Sequence, residues 1–165
     1  MKILILFIIC FSSVFSNTLE IADDFTFINS DKYQYIIEDK NENVTALDIL
    51  ENRYEANYFK NRSGITPSSF WTKITIKNTT NEERETVFQN NRAGTDEIDV
   101  YIYKKNKLVK THLLGDTRKQ ENREVLTHKS VFKIKLKSNE EYVIISHFDN
   151  MGPLTLSWHI LSDAD

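Results

Sequence analysis

Alternation of apolar and polar residues is the main pattern in this chain, and it predicts β-strands. A strand that is buried on one face repeats with a period of two residues. The alternation occurs in segments 70–77, 97–103, 132–137 and 154–160. Each of these segments is therefore predicted to have one face in a core. In contrast, segment 142–145 is apolar on both faces, which is typical of a central strand covered from both sides.

Shorter signals complete the predicted element order. Segment 44–51 is predicted to form a short helix, with Thr45 as its N-cap and Asp48 in the position of a capping-box acid. Residues 104–106 are predicted to form a turn between two strands. Further strands are predicted at 33–38, 85–89 and 107–113. About eight short strands with one helix indicate an all-β fold, an antiparallel jelly roll or related β-sandwich.

The N-terminal sixteen residues read as a secretory signal peptide. Lys2 precedes the apolar run 3–9, and small residues lead up to a predicted cleavage site after Ser16. The run is shorter than the roughly 20 apolar residues that a membrane-spanning helix needs. Cleavage would remove Cys10, the one cysteine of the chain. We therefore predict an exported protein whose residues 17–165 form a single domain.

Composition adds two limits to this picture. An exported chain without a cysteine has no disulfide framework, so it depends on a hydrophobic core. Residues 17–165 are enough for one such core. The chain of 165 residues has a formal net charge of −3, which argues against nucleic acid as a partner.

Several motifs, in their order and spacing, resemble one family of bacterial sensor domains. Across the chain they are Trp71-x-Lys73-Ile74-x-Ile76-x-Asn78, Asp96-Glu-Ile-Asp-Val-Tyr101, Gly115-Asp116, a basic pair before the strand at 131–132, and Tyr142 ahead of Gly152. The pattern is similar to that of the second type of extracellular domain in the 7TMR-DISM receptors. One departure is Lys73, where the family pattern more usually has arginine.

The resemblance implies a bacterial periplasmic sensor with a jelly roll like that of carbohydrate-binding modules. In such receptors the domain precedes seven membrane helices and a cytoplasmic output, for example a diguanylate cyclase or a histidine kinase. The present sequence stops at Asp165, before any such segment. Two interpretations stay open: a solitary sensor that acts on a membrane partner in trans, or the sensory part of a longer receptor.

The outward face of the predicted central strands carries the candidate site. Indole and phenol rings stack on the apolar face of a sugar while nearby charges hydrogen-bond its hydroxyl groups. Two basic residues of the family pattern add partners for a carboxylate or hydroxyl group. The predicted ligand-binding residues are Trp71, Lys73, Asp99, Tyr101, Arg123 and His128. The competing interpretation is that the aromatic side chains only pack beneath a second layer or the loop at 121–127.

No catalytic or metal-binding motif is apparent, so we predict neither an enzyme nor a cofactor. The four histidines lack metal-ligand spacing, and no nucleophile elbow or phosphate-binding glycine loop occurs. Two function classes remain: a sensor of a small polar or carbohydrate-like ligand, and a periplasmic protein-interaction module. The lysine-bearing strand at 133–137 is interpreted either as a protected sheet edge or as a surface that faces a partner.

Overall fold

The computed structural model describes residues 17–54, 62–119 and 127–162. The strands are β1 (Leu19–Ile21), β2 (Phe27–Asn29), β3 (Gln34–Asp39), β4 (Arg62–Ser63), β5 (Ser69–Asn78), β6 (Arg84–Ala93), β7 (Glu97–Lys104), β8 (Lys107–Leu114), β9 (Lys129–Leu136), β10 (Glu141–Asp149), β11 (Leu154–Thr155) and β12 (Trp158–Ser162). A 3₁₀ turn (Ser30–Lys32) and one α-helix, α1 (Ala46–Leu50), complete the elements. Within these ranges no helix is long and apolar enough to cross a membrane. The predicted signal peptide lies outside them.

Two sheets face each other. The larger sheet has the order β1-β5-β10-β7-β8, with β3 also paired to β5, and the smaller has the order β2-β12-β6-β9. Strands β4 and β11 form a separate short pair. All pairs are antiparallel except β1 with β5. The predicted all-β sandwich is therefore confirmed, and β9, the lysine-bearing strand, lies at the edge of the smaller sheet.

The main core lies between the inner faces of the two sheets, and the predicted alternation supplies it. Ile74 and Ile98 of the larger sheet are almost fully buried. From the smaller sheet, Phe132 stacks on Phe88 at 4.8 Å and meets Trp158 edge-on at 5.1 Å between ring centroids. The inner face of the larger sheet is fully packed against the smaller sheet. Its opposite, outer face is therefore available for other contacts.

Helix α1 covers part of that opposite face, and its start is as predicted. Thr45 is the N-cap: its Oγ1 accepts from the Asp48 amide at 3.2 Å, and the Asp48 carboxylate accepts from the Thr45 amide at 3.0 Å. Ile49 and Leu50 of the helix pack in a second apolar cluster with Ile145 of β10. The central strand is thus buried on both faces, as its sequence predicted.

Two turns depend on left-handed backbone. Lys105 and Asn106 both have positive φ, 49° and 59°, which suits a two-residue hairpin and confirms the predicted turn. Gly115 has a φ of +115°, and a Cβ there would lie 2.2 Å from the carbonyl oxygen of Asp96. The glycine of the Gly115-Asp116 motif is therefore required by the backbone, which assigns that motif a structural role.

The alternating segment 154–160 is not one strand, as its pattern suggested, but two. Strand β11 pairs with β4, whereas β12 pairs with β2 and β6. At the break, the side-chain amide of Asn90 donates to the carbonyl oxygens of Thr155, at 2.8 Å, and Ser157, at 3.2 Å. These side-chain bonds replace ladder bonds, so the alternation continues although the strand does not.

Candidate functional site

The register of the larger sheet brings four predicted site residues to one face. Strand β10 lies between β5 and β7, and residues directly opposite one another share a face. Two neighbouring rows result: Trp71, His147 and Asp99 in the first, and Lys73, Ile145 and Tyr101 in the second. Trp71, Lys73, Asp99 and Tyr101 are therefore neighbours on the outer face.

Trp71 is packed rather than open, with 5% of its surface exposed. Its ring lies 4.4 Å from that of His147 and 6.2 Å from that of Tyr101, nearly parallel to the latter. The indole N–H donates to Oδ2 of Asp39 at 3.4 Å. With both its ring and its polar atom engaged, Trp71 is a packing residue of the outer face.

Asp39 anchors the segment that leads into helix α1, a role that the sequence interpretation missed. Its carboxylate accepts from the backbone amides of Val44, at 2.9 Å, and Asn43, at 3.2 Å, besides the Trp71 indole. Burial alone would raise the pKa of Asp39, but the hydrogen bonds from Val44, Asn43 and Trp71 hold it below its usual value. The available signal was an acidic residue at a strand end before an asparagine-rich loop.

Lys73 holds the other end of the helix. Its Nζ donates to the carbonyl oxygens of Ile49, at 3.0 Å, and Leu50, at 3.2 Å, and to Oδ1 of Asn52 at 2.8 Å. Both carbonyls lie in the last turn of the helix; that of Ile49 also accepts from the backbone amide of Asn52, at 3.3 Å. Burial lowers the pKa of Lys73. The charge therefore positions the helix, and all three of its donors are engaged.

Asp99 is paired with Arg118, a basic residue that was not among the predicted site residues. Arg118 donates to Oδ1 of Asp99 at 2.9 Å and also contacts Glu97 at 2.6 Å. Arg123 lies outside the described residues. His128 is exposed on the segment before β9, in the smaller sheet. Arg118 and Arg123 both belong to the sequence between β8 and β9. Which residue of this segment reaches Asp99 cannot be read from the sequence, because that depends on the three-dimensional structure.

His147 completes the first row, between Trp71 and Asp99. Burial lowers the pKa of His147, while the carboxylates of Asp99 and Asp149 act in the opposite direction. His159, by contrast, lies on the smaller sheet, where its ring meets Phe27 edge-on at 5.1 Å. The sequence did not identify His147 as a site residue because it does not show which strands are neighbours.

An open cavity of about 540 Å³ lies on the same face, beside the second row and the C-terminal end of α1. Among its lining residues are Tyr35, Tyr54, Lys73, Asn52, Asn106 and Glu141. A second cavity of about 300 Å³ shares Asn106 and Glu141 with it. Burial, with Tyr35 nearby, raises the pKa of Tyr54, so its phenol stays protonated. Of the predicted site residues, Lys73 lines the larger cavity, whereas Trp71, Asp99, Tyr101 and His128 do not.

Two phenol rings, amide groups and one carboxylate provide both a stacking surface and hydrogen-bond partners. Such a combination suits a small polar ligand. No cluster of three or more potential metal ligands occurs among the residues that the structure describes. The arrangement can bind and orient a molecule.

The class defined by this fold is an all-β sandwich domain whose outer sheet face is partly covered by a helix. The family follows from the sequence: the model of 7TMR-DISM extracellular 2 matches residues 31–162, and the chain belongs to that extracellular sensor-domain family. The resemblance stated above is thereby confirmed. No curated protein sequence matches the chain.

Two solved structures are similar at low identity. The family 35 carbohydrate-binding module (CBM35) from Paenibacillus barcinonensis is 13% identical with a TM-score of 0.37, covering 85% of this chain and 99% of that one. A family 35 carbohydrate-binding module from Clostridium thermocellum is 9% identical with a TM-score of 0.35, covering 81% and 90%. Likeness at this level bears on neither ligand nor mechanism.

Proposed function

We propose that this chain is a non-catalytic periplasmic sensor domain that binds a small polar or carbohydrate-like ligand. It is exported by a signal peptide cleaved after Ser16 and acts on a membrane-bound signalling protein. The partner is of the seven-helix receptor, diguanylate cyclase or histidine kinase type, in cis or in trans. Membership of an extracellular sensor-domain family supports the general class.

The observation that carries the proposal is the open cavity beside α1. Tyr35 and Tyr54 offer rings for stacking, while Asn106 and Glu141 offer hydrogen-bond partners for hydroxyl groups. Lys73 belongs to this site through its position in the wall. In this proposal a few side chains contact the ligand, and the others stabilise the structure around the cavity.

In this proposal the remaining predicted residues have supporting or peripheral roles. Trp71 packs on the same outer face, in the row next to Lys73, and Tyr101 stacks against it. Asp99 with Arg118 forms a charged pair at the margin of the packed row. Arg123 and His128 belong to the proposed site as basic groups on the connection between β8 and β9 that would contact a carboxylate or hydroxyl group.

The proposed signal is a shift between two arrangements of α1. The helix has five residues, too few to be stable alone, so its position depends on tertiary contacts. Lys73 and Asn52 connect its C-terminal end to the cavity wall. A ligand that prefers one helix position shifts the population by its difference in affinity, and a membrane partner then detects the change.

The test is a thermal-shift screen of the purified chain against sugars, organic acids and amino acids. A ligand at about 100 times its dissociation constant stabilises by roughly 2.7 kcal/mol, a clear shift for a domain of this size. The shift should disappear in Tyr54→Ala and Glu141→Gln. It should persist in Glu83→Gln, an exposed glutamate that does not line the cavity.

A panel-wide absence of shifts, with a cooperatively unfolding protein, would contradict the ligand-sensor proposal. The second candidate function, a protein-interaction module, would then be preferred. One observation favours it: strand β8, an edge of the larger sheet, exposes about half of Leu108 and Val109 and 38% of Leu113. Exposed apolar side chains on an edge strand suit contact with another protein.

A further inference from the structure

A third cavity lies on a different part of the molecule, between the edges of the two sheets. Its volume is about 560 Å³. Strand β8 ends the larger sheet and β9 ends the smaller one, and residues of both line the cavity. The edges meet where the ring of His112 lies 5.0 Å from that of Phe132. The cavity lies along the same two edges, where Val109 of β8 and Lys133 of β9 line it.

The lining shows that the cavity follows the strand edges rather than one sheet face. Lys133, Ile134 and Lys135 are consecutive in β9, and all three line it. Consecutive strand residues point to opposite faces, so a space that touches all three runs along the backbone edge. Val109 and Lys110 repeat the arrangement on β8. Among the described strands, β9 pairs only with β6 and β8 only with β7.

Lysines predominate around this cavity, although one of them, Lys104, is paired with Glu140. Among its described lining residues, five are lysines and one is a glutamate: Lys104, Lys110, Lys133, Lys135, Lys137 and Glu85. The chain has a formal net charge of −3. Ile102, Ile134 and Tyr142, each nearly buried, supply an apolar lining.

Lysines on an edge strand commonly prevent pairing with other strands. They repel a basic segment and would lose hydration against a neutral one, whereas an acidic segment is attracted. Lys133 and Lys135 on β9, and Lys137 directly after its end, recur at every second position, while Ile134 lies between the first two on the core side. A strand added beside β9 would meet this same alternation.

We propose that the edge of β9 binds an extended acidic peptide segment of a partner protein by strand addition. The segment carries an acidic residue at every second position, opposite the three lysines, and apolar residues between them that cover Ile134 and Ile102. Backbone hydrogen bonds to the edge supply affinity, and the alternating side chains supply specificity. This site is independent of the outer-face cavity and does not require a small ligand.

The test uses the full purified chain and a fluorescein-labelled seven-residue peptide in which valine alternates with glutamate. Fluorescence anisotropy should report saturable binding that weakens as salt is added, because the pairs are solvent-accessible. A peptide of the same composition, with its three glutamates in one block, should bind roughly tenfold more weakly or worse, because at most two glutamates then face the lysines and the third faces the core side. The same peptide with lysine in place of glutamate should not bind.

Protein variants locate the site. Lys135→Glu with Lys137→Glu changes two exposed side chains of the lysine row and should abolish binding without loss of fold. The matched control is Lys32→Glu, an exposed lysine that does not line the cavity. On peptide addition, amide hydrogen exchange should slow at alternating residues of β9, those whose N–H groups point away from β6.

Three outcomes would overturn the proposal. The first is equal binding of the alternating and block peptides, which would indicate charge attraction alone. The second is protection of β8 amides without protection of β9. The third is competition by octanoate at the same concentration as the peptide, which would indicate a site for small anionic molecules. Loss of the outer-face ligand effect in Glu141→Gln, with peptide binding retained, would separate this site from the proposed sensor function.

Discussion

The outer face of the larger sheet has two halves that use similar residues in different ways. The packed half is the row of Trp71, His147 and Asp99, where ring contacts and a charged pair fill the space. The open half is the cavity lined by Tyr54 and Glu141. Both halves contain aromatic and charged side chains on a strand surface. Residue type therefore does not distinguish a supporting wall from a binding surface.

The difference arises from how helix α1 is held over the sheet. Asp39 fixes the segment that enters the helix, and Lys73 binds the carbonyls at its exit. Between these two anchors the helix covers Ile145 and Ile37. Beyond its C-terminal end nothing comparable fills the space among the described residues, and the cavity lies there. The two halves thus differ in whether helix α1 packs over them, not in the types of residue that they contain.

The largest expected effect comes from removing the ring at the centre of the packed half. Trp71→Ala should lower the free energy of unfolding by about 3–5 kcal/mol, since it leaves a cavity and removes the donor to Asp39. Tyr54→Ala, in the open half, should cost about 1 kcal/mol because its ring is only partly buried. Urea unfolding measures both values. Equal costs would mean that the two halves are packed alike.

The next effect tests the helix anchor. Lys73→Met keeps the length of the side chain but leaves the Leu50 carbonyl without the donor that Lys73 provides. The free energy of unfolding should fall by about 1 kcal/mol, because the loss of the hydrogen bond outweighs the gain from no longer burying a charge. Lys77→Met, on the same strand and face, is the control and should change it by less than about 0.5 kcal/mol. A stabilised Lys73→Met protein would exclude this anchoring role.

The packed half should also respond to acid. The pKa of His147 in the folded protein is below the 6.5 of an unperturbed histidine. As the pH falls below 6.5, the unfolded chain takes up this proton before the folded protein does, so stability decreases. The decrease between pH 7.5 and pH 5.5 should be at most about 1 kcal/mol and should become smaller in His147→Gln. His128→Gln, in an exposed segment, is the histidine control for these unfolding measurements.

The smallest stability effect belongs to the open half. Glu141 is exposed, so Glu141→Gln should change the free energy of unfolding by less than about 0.5 kcal/mol. Its proposed effect is on ligand binding. Chemical denaturation of the variant, beside the thermal-shift screen, separates the two quantities. A large loss of stability would show that Glu141 stabilises the fold. It would contradict the distinction between a packed half that supports the fold and an open half that binds the ligand.

Much of the fold was predictable because it depends on local patterns. Alternation located the strands, and the Thr45–Asp48 capping box located the helix start within a few residues of sequence. The failure at 154–160 is instructive. Alternation reports which side chains face the core but not which backbone is the partner. The side chain of Asn90, more than sixty residues away, bonds across that break.

The candidate site was predictable only in part. That Trp71, Lys73, Asp99 and Tyr101 share a face follows from alternation once their strands are adjacent. Asp39, His147 and Arg118 were missed because their roles depend on contacts between distant segments. Trp71 and Asp39, for instance, are 32 positions apart yet joined by a hydrogen bond.

By itself, the sequence determined the class of fold, the family, the helix cap and the side of each strand on which Trp71, Lys73, Asp99 and Tyr101 lie. These properties follow from side-chain periodicity and from motifs that act over a few residues. Only the tertiary structure decided which aromatic side chains are covered and which line a cavity. That outcome depends on strand register and on how two charged anchors, Asp39 and Lys73, hold one short helix against the sheet. Such contacts join distant parts of the chain, so no local pattern records them.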